Sequence, residues 1–328
     1  MRTHSGWQSG AAVICGIILL AATGFAPAQS YPNRSIRIID AYPAGGAADF
    51  LARVVAQKMT PSLGQNVVVE NRPGAGGNLG AEVAARSPAD GYTLFVGVST
   101  ALTSSVSLYA KLAYDITKDF APITTLGNGV YVFVSHPSLP VKTVADLIAL
   151  AKARPNEIKY SSSGNGSGPH LCGELFKMAT GTQLVHVPYK GGPPSVTAVI
   201  AGETEIGFMS AASAMGQIQA GKLRVLAVTS PKRVAALPDA PTLSESGARG
   251  YQVVPMFGIY APTRTPKEVI AFLNAEFRKA LETAEVREKY LTQGVEASGS
   301  TPEELRAMVL AEISQWAKVV KDAGMRID

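Results

Sequence analysis

Three side chains in one short stretch have the types and spacing for chemistry. Ser167, His170 and Cys172 lie in Gly164-Asn165-Gly166-Ser167-Gly168-Pro169-His170-Leu171-Cys172. A strand pattern at 157–160 precedes this run, and a helix pattern at 171–179 follows it. A serine and a histidine three residues apart at a helix start can approach as nucleophile and base. Acyl-transfer chemistry also needs an orienting carboxylate and an oxyanion hole. Glu174 is the nearest acid, one turn on, and points along the helix. No G-x-S-x-G elbow is present, because Asn165-Gly166 precede Ser167. A secreted serine-type hydrolase is therefore the alternative, not the first reading. The hydroxyls of Ser162, Ser163 and Ser167 are better suited to holding a carboxylate, or simply to making a turn and a helix cap. Cys172 sits where a helix dipole lowers a thiol's pKa, although a small packing residue is the commoner role.

A second stretch has the same logic and no reactive group at all. Tyr42-Pro43-Ala44-Gly45-Gly46-Ala47-Ala48-Asp49 follows an apolar strand pattern (Ile36, Ile38, Ile39) and opens a helix pattern (Leu51, Val54, Val55, Met59). A strand that feeds a Gly-rich turn and then a helix N-terminus points backbone N–H groups at one spot. That arrangement suits an anion. The stretch contains no Lys or Arg, so amides or water must do the holding. Asp49 is best explained as a first-turn acid that stabilises its helix through the dipole. Two such cradles, one around residues 42–49 and one around 160–170, suggest two half-sites facing each other.

The elements that must position them alternate. Strands are expected at 67–70 and 92–96, and a helix at 78–86, with Ser99-Thr100 at the carboxyl end of the second strand. Such alternation predicts a parallel sheet with helices on both faces. Strand patterns at 122–126 and 130–135 carry the chain out of a first domain. Thr143 caps a helix with Asp146 three residues on. Further strands are expected at 184–187, 205–209 and 223–229, the last able to return the chain to the first domain. Thr265-Pro266 and Thr301-Pro302 open two helices with Pro at the first helical position. The final helix places Leu305, Met308, Val309, Ile313, Trp316 and Val320 on one apolar face. The expected division is a signal peptide at 1–28, a discontinuous first domain at 29–127 and 229–328, and a second domain at 128–228.

Composition narrows the function. Arg2 and His4 precede an uncharged apolar run, 11–25, and Ala26-Pro27-Ala28 is a small-x-small cleavage site. This predicts secretion to the periplasm with cleavage after Ala28. The run is shorter than the roughly 20 residues a bilayer span needs. Thirty basic residues against 25 acidic give a net charge of +5 with no clustering, which argues against a nucleic-acid partner. Cys172 is the one cysteine after the expected cleavage point, so no internal disulfide is expected. His136, His170 and His186 are too dispersed for a zinc set, and no cofactor is expected. Gly216–Lys222 fits a phosphate-loop pattern but is followed by Leu223, where Ser or Thr is needed. Gly74, Gly76 and Gly80 miss the dinucleotide spacing.

Several runs together resemble one family. They are Tyr42-Pro43-Ala44-Gly45-Gly46, the run 69–78, Asp90-Gly91-Tyr92-Thr93-Leu94, Tyr114-Asp115 with Lys118-Asp119-Phe120, Gly164-Asn165-Gly166-Ser167 with His170, the run 186–191, Ala220-Gly221-Lys222-Leu223-Arg224 and Leu237-Pro238-Asp239. In that order they are similar to the Bug family, the extracytoplasmic solute-binding receptors of tripartite tricarboxylate transporters. The resemblance implies a type II periplasmic-binding-protein fold, an α/β fold of two domains joined by two crossover strands. A small carboxylate would bind in the cleft between them. It implies ligand contacts from Tyr42, Pro43, Ala44, Gly45 and Gly46 on one side. On the other it implies Ser162, Ser163, Gly164, Asn165, Gly166 and Ser167, with Ser99, Thr100, His170, Tyr189 and Lys190 as further contacts. It implies a non-enzymatic monomer that hands its ligand to membrane permease subunits; a further alternative keeps the receptor fold but assigns signalling, with the closed form touching a sensor protein. Many relatives place Trp where Met256 stands, which would widen the pocket if that position faces the cleft.

Overall fold

The computed structural model describes residues 31–322 and 324–327. The expected signal peptide lies outside the described residues. The chain builds a mixed α/β architecture on two sheets. Eleven strands and ten α-helices are described, with one 3-10 turn at Ala75–Gly77.

The first sheet has six strands in the order β11-β4-β10-β3-β1-β2. These are β1 (Ile36–Asp40), β2 (Val67–Asn71), β3 (Thr93–Val98), β4 (Phe120–Asn128), β10 (Met256–Pro262) and β11 (Glu296–Ala297). β1 is parallel to both β2 and β3, while β10 runs antiparallel to β3 and β4. All six residues of β3 are buried. That follows from helices on both faces, which leave a parallel strand no solvent side.

The second sheet has five strands in the order β7-β6-β8-β5-β9. They are β5 (Tyr131–Ser135), β6 (Lys159–Ser162), β7 (Val185–Pro188), β8 (Ile206–Ser210) and β9 (Arg224–Val228). The chain crosses from β4 to β5 over two residues, and crosses back through 229–255. β9 stays in the second sheet, paired with β5. The return is therefore made by the segment after it. Leu243, Ala248, Tyr251 and Val253 of that segment pack with Phe133, Phe176 and Phe208 in the core beneath the second sheet.

Helices follow the strands: α1 (Ala47–Leu63), α2 (Asn78–Ala85), α3 (Ser99–Leu108), α4 (Val144–Ala153), α5 (Gly168–Thr180), α6 (Gly192–Ile200), α7 (Ala211–Gln219), α8 (Lys267–Leu281), α9 (Ala284–Leu291) and α10 (Pro302–Asp322). The Thr143–Asp146 capping box is present. Pro266 is the N-cap of α8 rather than its first helical residue. The α10 stripe buries Leu305, Val309, Trp316 and Val320, but Met308 is exposed and points away. α9 and β11 had no strong pattern in the sequence. α9 mixes charged and apolar residues around the chain, and β11 is two residues long.

Candidate functional site

Four helix N-termini meet at one cleft. Its lining comes from both sheets' ends: Gly46, Ala47 and Ala48 at the start of α1, Ser167, Gly168 and Pro169 at α5, Gly192 and Ser195 at α6, and Ser210 and Ser213 at α7. Tyr42, Ser163, Val98, Tyr131, Phe208, Met209 and Phe257 complete the wall. No lining residue is charged. Strands that end together place their following helices with N-termini toward the same point, so the convergence is a product of the parallel pairing.

The first cradle differs in detail from the expected one. The Gly45 N–H donates to Asp49 Oδ2 at 3.0 Å, and the Gly46 N–H donates to Pro43 O at 3.3 Å. Those two amides are spent within the loop. The amides of Ala47, Ala48 and Asp49 make no hydrogen bond among the described residues, as the first turn of a helix requires. Anion-binding capacity therefore sits one step further along, on Ala47 and Ala48. Gly45 adopts φ +81°, which turns the chain sharply and favours glycine.

A polar network fixes this loop from below. Asn71 Nδ2 donates to Asp40 Oδ2 at 3.1 Å, to Tyr42 O at 2.9 Å and to Asp49 Oδ1 at 2.9 Å. Arg53 Nε donates to Asp49 Oδ1 at 2.9 Å. Asp49 thus turns back onto the loop instead of into the cleft. Burial pushes Asp40 up to about 8, while Arg53 and the Gly45 and Asn71 donors hold Asp49 below the usual carboxylate range against its own partial burial. One carboxyl of the pair is kept neutral, which limits the negative charge behind the cradle.

The second wall is made of hydroxyls. Ser167 caps α5 by accepting the His170 N–H, at 3.4 Å. Ser210 caps α7, accepting the Ser213 N–H at 3.3 Å, and its Oγ lies 2.7 Å from Ser213 Oγ. Tyr131 Oη lies 2.9 Å from Thr100 Oγ1, and a Cβ on Gly168 would stand 1.9 Å from Tyr131 Oη. Only glycine lets α5 begin so close to that hydroxyl.

The cleft brings together Tyr42, Gly46, Ser163 and Ser167 of the residues expected from sequence. Tyr42, Pro43, Ser163, Gly164, Tyr189 and Lys190 line an adjoining groove. Ala44 and Gly45 are exposed at the rim. Ser99 is buried behind the wall, donating to Glu312 Oε1 at 2.9 Å and accepting the Met256 N–H at 3.1 Å. Thr100 is occupied by Tyr131, Ser162 by His186, and Gly166 by His170. Asn165 sits at the contact between the domains, where a Cβ on Gly76 would stand 2.6 Å from Asn165 O. A Cβ on Gly191 would likewise stand 2.7 Å from Pro43 Cδ. The two domains are therefore closed on one another. Met256 is buried among Phe95, Tyr260 and Leu305, so its side chain faces the core and does not widen the pocket.

Ala47, Ala48, Gly192, Ser195, Ser210 and Ser213 were missed. Small residues after a strand were the available signal, repeated at each helix start. The nucleophile readings fail on geometry. Ser167 Oγ is a cap, and His170 Nδ1 faces the Gly166 amide at 3.2 Å, so the ring is not placed to take the serine's proton. Cys172 is fully buried, and burial pushes its thiol up. Among the described residues no group of three or more His, Cys, Asp or Glu is placed to hold a metal. No described helix is long and apolar enough to cross a membrane.

Comparison with known proteins agrees with this geometry. Protein BugT of Bordetella pertussis is 36% identical over 317 residues, covering 96% of this chain and 97% of that protein. The structure of R. palustris Rpa4515 with adipate superposes with TM-score 0.88 at 35% identity, over 90% of this chain and 99% of that one. MatC from Rhodopseudomonas palustris with bound malate gives TM-score 0.84 at 29% identity, over 88% and 100%. The fold is thus that of periplasmic binding proteins. Residues 51–325 match the model for the tripartite tricarboxylate transporter family receptor, and the chain belongs to that family.

Proposed function

We propose that this protein captures a small organic acid in the cleft between its domains and delivers it to the membrane permease of a tripartite tricarboxylate transporter. It works in the periplasm as a monomer, after removal of residues 1–28. The domains divide near 129 and 255, and the crossovers there act as the hinge. One observation carries the reading: a closed, charge-free cleft onto which four helix N-termini converge. Such a site offers N–H and O–H donors and helix dipoles to a carboxylate without a formal cation. The relatives seen with adipate and with malate support an aliphatic acid as the cargo. The same wall includes Val98, Phe208, Met209 and Phe257, which suits a short methylene chain.

The decisive measurement is mass spectrometry of small molecules released on denaturing the purified protein, followed by thermal-shift titration with linear C4–C8 dicarboxylates. A saturable rise in melting temperature with one of them is the expected result. A flat response across mono- and dicarboxylates would sink the carboxylate assignment.

A further inference from the structure

The loop that forms the cleft's second wall is held at both ends by a stacked histidine pair that lies outside the cleft lining. His170 and His186 stack with ring centroids 4.1 Å apart and planes 15° from parallel. His170 Nδ1 accepts the Gly166 N–H at 3.2 Å, near the end of the loop. His186 Nε2 lies 2.6 Å from Ser162 Oγ, at its start. Between these anchors lies Ser163, and just beyond them Ser167, both in the cleft wall.

The Gly166 bond fixes the tautomer of His170. A backbone N–H can only donate, so Nδ1 must present its lone pair and any ring proton must sit on Nε2. Nε2 faces Glu174 Oε1 at 4.0 Å. A second proton can enter only at Nδ1, where it would meet the Gly166 N–H head-on. We propose that His170 is a proton-operated latch on the 162–167 loop: neutral, it holds the loop in the ligand-binding shape, and protonated, it releases Gly166 and weakens the grip on the bound acid. This rests on the solute-binding reading given above.

The groups facing the ring are few. Glu174 and Lys177 come from α5 itself, joined to each other at 2.7 Å, His186 comes from β7, and Tyr160 of β6 donates to Glu174 Oε1 at 2.7 Å. Burial lowers the pKa of His170 most; Glu174 opposes that shift and Lys177 adds to it. His186 is pushed down to about 3, by burial first and then by His170 and Lys177. The partner ring therefore stays neutral while His170 titrates, and the latch opens below the ordinary imidazole range.

The test uses the mature protein and a His170→Asn variant, whose Oδ1 stands where Nδ1 stood and does not titrate. In ligand-free protein, the exchange protection of the Gly166 amide is followed by NMR from neutral to acid, alongside the His170 ring nitrogens. Wild type should lose at least tenfold in protection as His170 protonates, and the variant should lose less than threefold. Calorimetry with linear C4–C8 dicarboxylates over the same range should show affinity falling more steeply in wild type. The acids' own protonation is common to both proteins and cancels. Equal pH dependence in the two proteins, or a protonated Nδ1 at neutral pH in wild type, overturns the latch. If the variant does not fold, the wild-type exchange and ring-nitrogen data decide alone. If no dicarboxylate binds either protein, the solute-binding reading falls for that class, while the exchange data still decide the latch.

Discussion

At the scale of single residues, the cleft depends on amides that carry no side-chain signature. Ala47 is the first helical residue of α1, and its N–H has no partner among the described residues. Proline is tolerated at that position because the missing N–H is unneeded by the helix. Gly46 before it is already extended at ψ 172°, as a residue preceding proline must be. Ala47→Pro should therefore fold normally and weaken carboxylate binding by about 1.5–3 kcal/mol, the worth of a hydrogen bond to a charged group. Calorimetry reads the loss, and a circular dichroism melt checks the fold. A second residue-level prediction concerns Glu312. Burial raises it to about 7, although it accepts from Ser99 Oγ and Thr103 Oγ1. A carboxyl raised in the folded state binds its proton more tightly there than in the unfolded chain. Stability is then lost as pH rises from the ordinary carboxylate range through about 7. Glu312→Gln keeps the shape: the new amide can donate to Thr103 Oγ1, which itself donates to Ser99 O at 2.8 Å. The variant should gain about 3 kcal/mol over wild type at pH 8 and nothing at pH 4, by denaturant titration at both pH values. None of this was legible in the sequence. Glu312 occupies an ordinary helical position, and only the approach of α3 buries it.

At the scale of elements, the strand–turn–helix units were readable because Gly and Pro punctuate them and apolar runs bracket them. The capping boxes at Thr143 and Thr301 were readable for the same local reason, and both close in the structure. What local pattern does not carry is which loop amides are spent on the loop itself. That is settled by Asn71 and Asp49, brought together from β2 and α1. Contact across the cleft is equally non-local. Gly76 lies in a turn of the first domain at φ +65°, and its missing Cβ makes room for Asn165 O of the second. Gly64 at the end of α1 has nearly the same backbone, φ +62°, with nothing nearby. The pair separates backbone strain from closure. Each change to alanine should cost about 1 kcal/mol of stability for the left-handed conformation. Gly76→Ala should in addition reduce ligand affinity tenfold or more, whereas Gly64→Ala should leave it alone. Equal affinities in the two variants would show that the closed contact does not matter for binding.

At the scale of the whole molecule, the chain's net charge of +5 plays no part in the cleft wall. Two domains, each with its own sheet, present the same kind of surface to one another: helix starts, serine hydroxyls and glycine. Residue pattern made the two cradles legible and family resemblance the two-domain architecture, but the resemblance pointed to Met256 as a candidate wall position when the wall is Phe257. A one-residue slip along a strand exchanges core for cleft, because neighbouring side chains point to opposite faces. The uncharged wall has a consequence for the medium in which the protein works. A pocket that held its anion with lysine or arginine would surrender affinity as salt rose, because dissolved ions compete for and screen unit charges. In the proposed site the attraction would come from amide donors in direct contact and from dipoles whose reach ends within a turn of helix, inside the screening length. Raising sodium chloride from about 50 mM to about 500 mM should change the dissociation constant less than about threefold, by fluorescence or calorimetric titration. A receptor built this way keeps the same threshold concentration for capture when the salt around it rises about tenfold.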